Sequence, residues 1–121
     1  APAVMPLGAT RLDISLDDAD GDVVAGIAAW THADVLTIEL LWVHDALRGQ
    51  GIGRALVQMA EIEALARRCQ TALVSGALRP AFYQYLGYCV TARLLSFPVG
   101  VALYALHKPL VADACACGLA Q

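Results

Sequence analysis

The most informative segment of the chain reads Leu41-Trp42-Val43-His44-Asp45-Ala46-Leu47-Arg48-Gly49-Gln50-Gly51-Ile52-Gly53-Arg54. Its apolar start is typical of a buried strand, which runs through a glycine-rich turn into a helix. Glycine lets the backbone approach an anion closely, and the first turn of a helix offers unpaired N–H groups at the positive end of its dipole. The segment is therefore predicted to hold a phosphate-bearing ligand, with Arg48 and Arg54 flanking the loop.

The spacing of the glycines excludes two better-known phosphate loops. A dinucleotide fingerprint needs Gly-x-Gly-x-x-Gly, but its last position is Arg54 when counted from Gly49 and Leu56 when counted from Gly51. A Walker loop needs Gly-Lys-Ser/Thr, which the chain lacks. The pattern that remains is Arg48-x-x-Gly51-x-Gly53.

The residues before this segment predict three strands. Thr10 to Leu16 alternates apolar and polar residues, and Val23 to Trp30 is again apolar. Between them, Asp17 to Asp22 contains the turn dipeptide Asp20-Gly21, so the pair is predicted to form a β-hairpin. Val35 to Val43 reads as a third, largely buried strand whose single charge is Glu39.

The residues after the glycine loop predict two helices and three further strands. Apolar residues recur at helical spacing from Gln50 to Arg68, and Pro80 to Leu86 is a short helix that begins with proline and ends before Gly87. The predicted strands are Thr71–Ser75, Tyr88–Leu95 and Val101–His107. The order is β-β-β-α-β-α-β-β, which predicts an α/β fold of the mixed α+β kind, with helices packed on a mixed, mostly antiparallel sheet.

Composition limits the class of protein. The 121 residues fit one domain, and 59% hydrophobic against 16% charged residues exclude disorder. The longest apolar candidate, Leu94 to Leu106, is broken by Pro98 and Gly100, so no membrane span is predicted. The first residues lack the features of a signal peptide, so a cytoplasmic location is expected.

Charge is divided unevenly along the chain. Residues 1–43 carry one base against seven acids, whereas residues 44–121 carry seven bases against four acids. The asymmetry suggests an anion bound by the second part and a cation by the first, although a solvated acidic turn explains much of the negative charge without a ligand. No basic stripe with interleaved aromatic residues exists, so nucleic acid is not an expected partner.

No metal site is predicted. The acids at Asp18, Asp20 and Asp22 resemble a calcium loop, but Val23 and Ala29 stand where that loop needs Gly and Glu, so turn chemistry explains them better. No Cys-x-x-Cys pair exists, which argues against zinc. Reduced thiols are expected for Cys69, Cys89, Cys115 and Cys117.

The last predicted hairpin lacks a solvent face. Between Val90 and His107 the only formally charged residue is Arg93. Strands that are apolar on both faces need cover on both faces, and a second copy of the chain can supply it. We therefore predict a homodimer formed through the C-terminal strands.

The pattern Arg48-x-x-Gly51-x-Gly53 resembles the signature of the GNAT acetyltransferase superfamily. About thirty residues downstream, across one strand, the segment Phe82-Tyr83-Gln84-Tyr85-Leu86-Gly87-Tyr88 resembles the family's second motif, Phe-Tyr-x-x-x-Gly-Phe/Tyr. The chain looks like a small bacterial member with an abbreviated N-terminus, and the resemblance covers about residues 9–108. It implies a GNAT-like sheet, with residues 1–110 as a single acyl-CoA-binding domain and residues 111–121 as a tail.

The resemblance implies acetyl-CoA as the co-substrate. Its pyrophosphate would lie on the backbone amides of Gln50 to Arg54. Its pantetheine arm would lie where the Val35–Val43 strand splays away from Thr71–Ser75. The cofactor-binding residues expected on this basis are Leu41, Trp42, Val43, Arg48, Gly49, Gln50, Gly51, Ile52, Gly53 and Arg54.

Two residues are candidates for catalysis. Tyr83 matches the motif tyrosine, whose family role is to protonate the departing thiolate; the alternative is that it only packs against the co-substrate. Glu39 is the candidate base because strict alternation places it on the strand face of Leu41 and Val43, and a lone carboxylate there would have a raised pKa. Pairing with an arginine is the alternative for Glu39, and His44 or a water molecule could serve as the base instead.

Two departures from the family pattern bear on the acceptor site. Few residues precede Thr10, whereas most members begin with helices that wall the acceptor pocket, and Ala77 stands where the family often has Asn. The reading favoured by the motifs is direct transfer of an acetyl group from acetyl-CoA to a primary amine of a small molecule or peptide. The alternatives are a non-catalytic acyl-CoA-binding or sensing module and a structural protein that kept only the fold.

Overall fold

The computed structural model describes residues 5–96 and 100–111, and the predicted order of elements is confirmed with one refinement. The predicted first strand is two short strands, because Leu12 turns inward to 3% exposure between them. The strands are β1 Thr10–Arg11, β2 Ile14–Asp17, β3 Val23–His32, β4 Val35–Val43, β5 Thr71–Ala77, β6 Cys89–Ser96 and β7 Val101–Pro109. The helices are α1 Ile52–Ala66 and α2 Pro80–Tyr85, with a 3₁₀ turn at Asp45–Leu47.

The strands form one mixed sheet. Its order is β1-β3-β4-β5-β7-β6, and β2 also pairs with β3. The β4–β5 pair is parallel and every other pair among the described residues is antiparallel. The predicted mixed, mostly antiparallel sheet is therefore confirmed. The tail predicted for 111–121 lies outside the described residues beyond position 111.

The two helices cover one face of this sheet. Inward-facing residues of β3, β4 and β5 join residues of α1 and Tyr83 of α2 in a single apolar core. Its fully buried larger side chains are Ile27, Leu36, Ile38, Leu56, Leu106, Val57 and Cys69. On the opposite face, which no helix of the described chain covers, Leu40, Trp42 and Leu73 are exposed. The sheet therefore has one packed face and one open face.

A β-bulge interrupts the regular pairing of β3 with β4. Ala29 pairs with Ile38 and Ala28 pairs with Leu40, so Glu39 is the extra residue and has no partner directly across the ladder. On the other side of β4, pairing with β5 ends at Ile38. The two parallel strands therefore separate from Glu39 onward, as the family resemblance implied, and leave a wedge between their carboxyl ends.

The acidic turn before β3 is explained by its own hydrogen bonds. Oδ1 of Asp18 accepts from the N–H of Asp20 at 2.9 Å and of Asp22 at 3.0 Å. Such side-chain bonds to the backbone are what aspartate supplies in tight turns. Turn chemistry, rather than a calcium loop, is therefore confirmed.

The cysteines differ from the expectation of reduced thiols. Cys69 is a free, buried thiol at the end of the α1–β5 connection, as expected. Cys89 is disulfide-bonded, so the expectation is wrong for that residue. Cys115 and Cys117 lie outside the described residues.

No described helix combines the length and apolar character that crossing a membrane requires. Within residues 5–96 and 100–111, no three side chains of the metal-ligating types gather at one place.

Candidate functional site

Two glycines turn the chain from the end of β4 into α1. Gly49 has φ +82° and Gly51, the N-cap of α1, has φ +80°, a left-handed conformation that costs an L-residue with a side chain about 1–2 kcal/mol. The loop predicted from sequence therefore joins the end of β4 to the start of α1. The local fold thus aims the first turn of a fifteen-residue helix at the wedge between β4 and β5.

The loop and the helix start carry unpaired donors. Within the described chain, the N–H groups of residues 49–54 donate to no backbone or side-chain acceptor, and the first helical bond runs from Ala55 to the carbonyl of Gly51. Unpaired N–H groups at a helix N-terminus form an anion site because the helix dipole is positive there. The predicted phosphate-binding geometry is therefore present in the backbone.

Arg48 lies at the edge of this loop, and two residues that precede it in the chain orient its side chain. Its Nε donates to the carbonyl of Val43 at 3.2 Å, and its Nη2 lies 3.2 Å from Oδ1 of Asp45. The side chain remains 59% exposed. The guanidinium therefore has donors left for a ligand anion.

The wedge opens into a cleft of about 660 Å³ between β4, β5 and the first turns of both helices. All of the site residues predicted from sequence line it except Gln50, and His44 does not line it either. The predicted residues on its wall are Glu39, Leu41, Trp42, Val43, Arg48, Gly49, Gly51, Ile52, Gly53, Arg54 and Tyr83. The two sequence motifs, which α1 and β5 separate along the chain, thus line one cavity.

The residues of the opposite wall of the cleft were not among the predicted site residues, although the family resemblance placed the arm beside Thr71–Ser75. This wall consists of Val74, Ser75, Gly76, Ala77, Leu78, Arg79 and Phe82, with Leu40 and Leu47 completing the first wall. One signal could have found it: Gly76, at φ +81°, lies in a register shift between Val74 and Ala77. A glycine inside a strand pattern indicates such an irregularity. The family's asparagine position, here Ala77, lies in this wall and offers no polar side chain.

Tyr83 connects the cleft to the core. It is 8% exposed and packs edge-on against Phe82 and Tyr88, with ring centroids 5.0 Å and 5.6 Å away. Burial raises the pKa of its phenol to about 12. Its hydroxyl bonds to no described residue, so this protonated donor is available to a molecule in the cleft.

Glu39 is not the lone carboxylate that the sequence predicted. Nη1 of Arg11 lies 2.7 Å from Oε1 of Glu39, whose side chain is 13% exposed. The same guanidinium donates to both carboxylate oxygens of Asp13. The arginine-paired alternative is therefore the observed one, and the β-bulge at Glu39 breaks the strict alternation on which its predicted orientation depended.

The remaining aromatic and histidine candidates have structural roles. Nδ1 of His44 accepts from the N–H of Ala46 at 3.2 Å and caps the 3₁₀ turn. Tyr85 is 83% exposed, whereas Tyr88 is buried and donates to Oε2 of Glu61 at 2.7 Å. Burial and the neighbouring carboxylate raise the pKa of Tyr88. Tyr85 is therefore a surface residue and Tyr88 a core residue.

Comparison with known protein families identifies the class of protein to which this fold and cleft belong. Residues 14–90 match the model of the acetyltransferase (GNAT) domain. The chain therefore belongs to the GNAT acetyltransferase family.

Two relatives share sequence with most of the chain. It is 29% identical over 96 residues to blasticidin-S acetyltransferase of Streptomyces morookaense. This alignment covers 74% of this chain and 68% of that protein. It is 36% identical over 80 residues to an acetyltransferase of Agrobacterium fabrum. That alignment covers 66% of this chain and 58% of the Agrobacterium protein.

A solved structure shares the fold. An aminoglycoside 6′-N-acetyltransferase complexed with coenzyme A superposes with a TM-score of 0.75 at 18% identity. The superposition covers 87% of this chain and 76% of that one. The mixed sheet with its two helices is therefore the GNAT fold.

Proposed function

We propose that the protein transfers an acetyl group from acetyl-CoA to a primary amine of a small molecule or peptide. One observation carries the proposal: the buried Tyr83 phenol opens onto the same cleft as the loop of unpaired N–H groups at residues 49–54, of which all but Gln50 line the cavity. Acetyl-CoA needs both features: an anion site for its pyrophosphate and a proton donor for the thiolate that leaves its thioester.

The residues present fit acetyl-CoA, whose thioester would supply the acetyl group. The N–H groups of Gln50 to Arg54 would bind the pyrophosphate oxygens, and Arg48 and Arg54 would add positive charge. The apolar wall formed by Leu41, Trp42 and Val43 would hold the arm in the wedge between β4 and β5. Backbone N–H groups of the same stretch would polarise the thioester oxygen.

The proposed transfer is a direct displacement. A cationic acceptor amine first loses one proton to solvent and reacts as the free base. Glu39 takes a proton from the acceptor amine as the nitrogen bonds to the thioester carbonyl carbon. Tyr83 gives its phenolic hydrogen to the sulfur as the carbon–sulfur bond breaks, and afterwards solvent reprotonates Tyr83 and takes the proton from Glu39. One proton moves overall from nitrogen to sulfur, and the products are an amide and a free thiol.

The acceptor is proposed to be a cationic amine. Glu39 and Asp13 supply negative charge near the point where β4 separates from β5, and Arg11 is their only described ion-pair partner. A blasticidin-S acetyltransferase among the relatives, and an aminoglycoside 6′-N-acetyltransferase among the structures that share the fold, support a small amine as the acceptor. We propose that one domain, residues 1–110, performs the reaction in the cytoplasm.

The homodimer proposed from sequence would form through β6. This strand is the last in the sheet order of the described residues, and residues 91–95 are all exposed. Leu94 and Leu95 are 66% and 48% exposed although their alternation points them to opposite faces. An exposed apolar edge strand favours pairing with another strand.

A non-catalytic acyl-CoA-binding module is the second candidate. The observation that favours it is the Arg11–Glu39 ion pair, because the guanidinium occupies a carboxylate oxygen that an acceptor amine would have to approach. In this case the loop would bind acetyl-CoA and no amine would be acetylated.

Calorimetric titration of acetyl-CoA, followed by a thiol-release assay with a panel of amines, tests the proposal. The wild type is compared with an Arg48→Ala, Gly51→Asp double variant, and an Ile62→Ala variant on the exposed face of α1 is the matched control. We expect micromolar binding and thiol release that the double variant alone loses. Binding without thiol release would favour the binding module, and a folded wild type that binds nothing would contradict both candidates.

A further inference from the structure

Arg11 joins two carboxylates from different parts of the sheet. Its Nε and Nη2 donate to Oδ2 and Oδ1 of Asp13 at 3.1 Å and 2.7 Å, and its Nη1 donates to Glu39 at 2.7 Å. Nη1 also lies 3.3 Å from Sδ of Met5. The planar guanidinium thus makes a two-point contact with Asp13 and presents a separate edge to Glu39.

The Asp13 carboxylate that binds Arg11, called the clamp below, is itself held in place. Oδ1 of Asp13 also accepts from the backbone N–H of Ala29 at 3.2 Å, which fixes that carboxylate to β3. The Arg11 bonds and this backbone bond lower the pKa of Asp13, so it stays charged at neutral pH. Arg11 is therefore held by a carboxylate that the sheet holds in turn.

Helix α1 anchors the backbone of Arg11 from the other side. Nη1 of Arg67 donates to the carbonyl of Arg11 at 3.0 Å and to Oγ1 of Thr31 at 3.1 Å. Glu63 orients Arg67 through a bond of 3.0 Å. Both the main chain and the side chain of Arg11 therefore have fixed positions.

Glu39 needs such support because of its place in the bulge. As the extra residue of β4 it has no partner directly across from it on β3, and β5 has already separated on its other side. A glutamate in that position has free side-chain torsions unless another group holds its carboxylate. Arg11 is the residue within the described chain that bonds to it.

We propose that Arg11 is a positioning residue for the transfer reaction: held by Asp13, it fixes the Glu39 carboxylate at the acceptor end of the cleft. The inference rests on the proposed function, in which Glu39 takes the proton from the amine. It adds that the catalytic geometry depends on β1, a two-residue strand outside both family motifs.

A double-mutant cycle in the full chain tests this coupling. The variants Arg11→Ala, Glu39→Gln and their combination are assayed for kcat and for the KM of acetyl-CoA, beside Arg11→Lys and Asp13→Asn. We expect Arg11→Ala to lower kcat about tenfold with an unchanged KM for acetyl-CoA, and Glu39→Gln to lower kcat about a hundredfold. The combined variant should match Glu39→Gln alone, because Arg11 acts only through that carboxylate.

The conservative variants address folding defects. Arg11→Lys keeps the charge but cannot reach both carboxylates with a planar fork, so it should restore little of kcat. Asp13→Asn leaves Arg11 in place without its clamp and should lower kcat by a smaller factor than Arg11→Ala. Lys108→Met is the matched control, because it breaks another ion pair, at 3.0 Å, whose carboxylate is also 13% exposed. It should lower the melting temperature and leave kcat unchanged.

Each outcome bears on a different statement. Losses of kcat that multiply in the combined variant, or an Arg11→Ala variant as fast as the wild type, would overturn the positioning role and leave the proposed function standing. A Glu39→Gln variant with the kcat of the wild type would overturn the role of Glu39, and this inference with it. A folded wild type that releases no thiol with any amine would overturn the proposed function as well.

Discussion

A Cβ atom at position 53 would lie 3.3 Å from Cζ of Phe82. The first turn of α1 and the helix that carries Tyr83 therefore approach each other closely only because residue 53 is glycine. Phe82 forms part of the cleft wall and packs edge-on against Tyr83. Gly53 thus determines the distance between the anion loop and the proposed proton donor.

Replacing Gly53 with alanine should weaken acetyl-CoA binding. The added methyl group would lie 3.3 Å from the Phe82 ring, so this part of the cleft wall must shift by a few tenths of an ångström. We expect the Kd to rise about tenfold, which corresponds to ~1.4 kcal/mol. Titration calorimetry measures the effect. A Gly53→Ala, Phe82→Leu double variant should recover most of the affinity because leucine leaves room for the methyl group. An alanine variant that binds like the wild type would contradict the crowding argument.

Replacing Tyr83 with phenylalanine should lower kcat and leave binding unchanged. The phenol is a weak acid at a pKa of about 12, so its loss should cost about a hundredfold, the lower end of the range for acid–base groups. Thiol release under saturating acetyl-CoA measures kcat. Tyr85→Phe is the matched control, since Tyr85 lies two residues away and is 83% exposed. Equal losses in both variants would rule out a specific role for Tyr83.

The same phenol predicts the alkaline pH dependence. Burial raises the pKa of Tyr83, so the donor stays protonated up to a pH of about 12. Its deprotonation should therefore produce no decline of kcat between pH 7 and 10. A decline in that range that is present in the wild type and absent from Tyr83→Phe would show that the phenol titrates in the accessible range.

Asp13 predicts how stability changes in acid. Its pKa in the folded protein is lowered from 3.8, chiefly by the hydrogen bonds from Arg11. A lowered pKa means that the unfolded chain binds the proton more readily, so this contribution is present above pH 3.8 and is lost as the pH falls through the lower folded value. The free energy of unfolding of Asp13→Asn, measured with urea, should therefore fall less steeply below pH 4 than that of the wild type. Parallel curves would contradict the linkage.

The exposed edge strand predicts an assembly that a single charge should disrupt. Light scattering of the wild type at low micromolar concentration should give about twice 12.7 kDa. Leu94→Glu should give the monomer mass because it places a charge on the apolar edge. Ile62→Glu, at 68% exposure on α1, is the matched control and should leave the mass unchanged. A monomeric wild type would contradict the dimer.

The order of the elements and the anion loop could be predicted from local patterns. The bounds of β4 follow from an unbroken apolar run, and the course of the chain into α1 follows from Gly49 and Gly51, whose positive φ angles are local properties. Tyr83 could be assigned to the cleft because its segment resembles the family's second motif, in a short helix that begins at Pro80. Such features depend on neighbours in the sequence, which a single chain displays.

The partner of Glu39 and the second wall of the cleft could not be predicted in the same way. Arg11 and Glu39 are 28 residues apart, and their contact depends on the bulge that interrupts alternation between β3 and β4. Nothing in the apolar run of β4 distinguishes a bulged residue from a regular one, because the extra residue is defined by pairing with another strand. The wall at residues 74–79 likewise results from where β4 and β5 stop pairing.

The short parallel seam between β4 and β5 has a consequence for how the molecule opens. Only Val35 to Ile38 pair with β5, while antiparallel ladders bind β1–β4 on one side and β5–β7 on the other. Cooperative units in native proteins tend to follow such well-connected groups. In hydrogen exchange we expect the amides of the seam to report a partial opening into two halves of the sheet, at a lower free energy than global unfolding. The cleft would then be the place where the native state first comes apart.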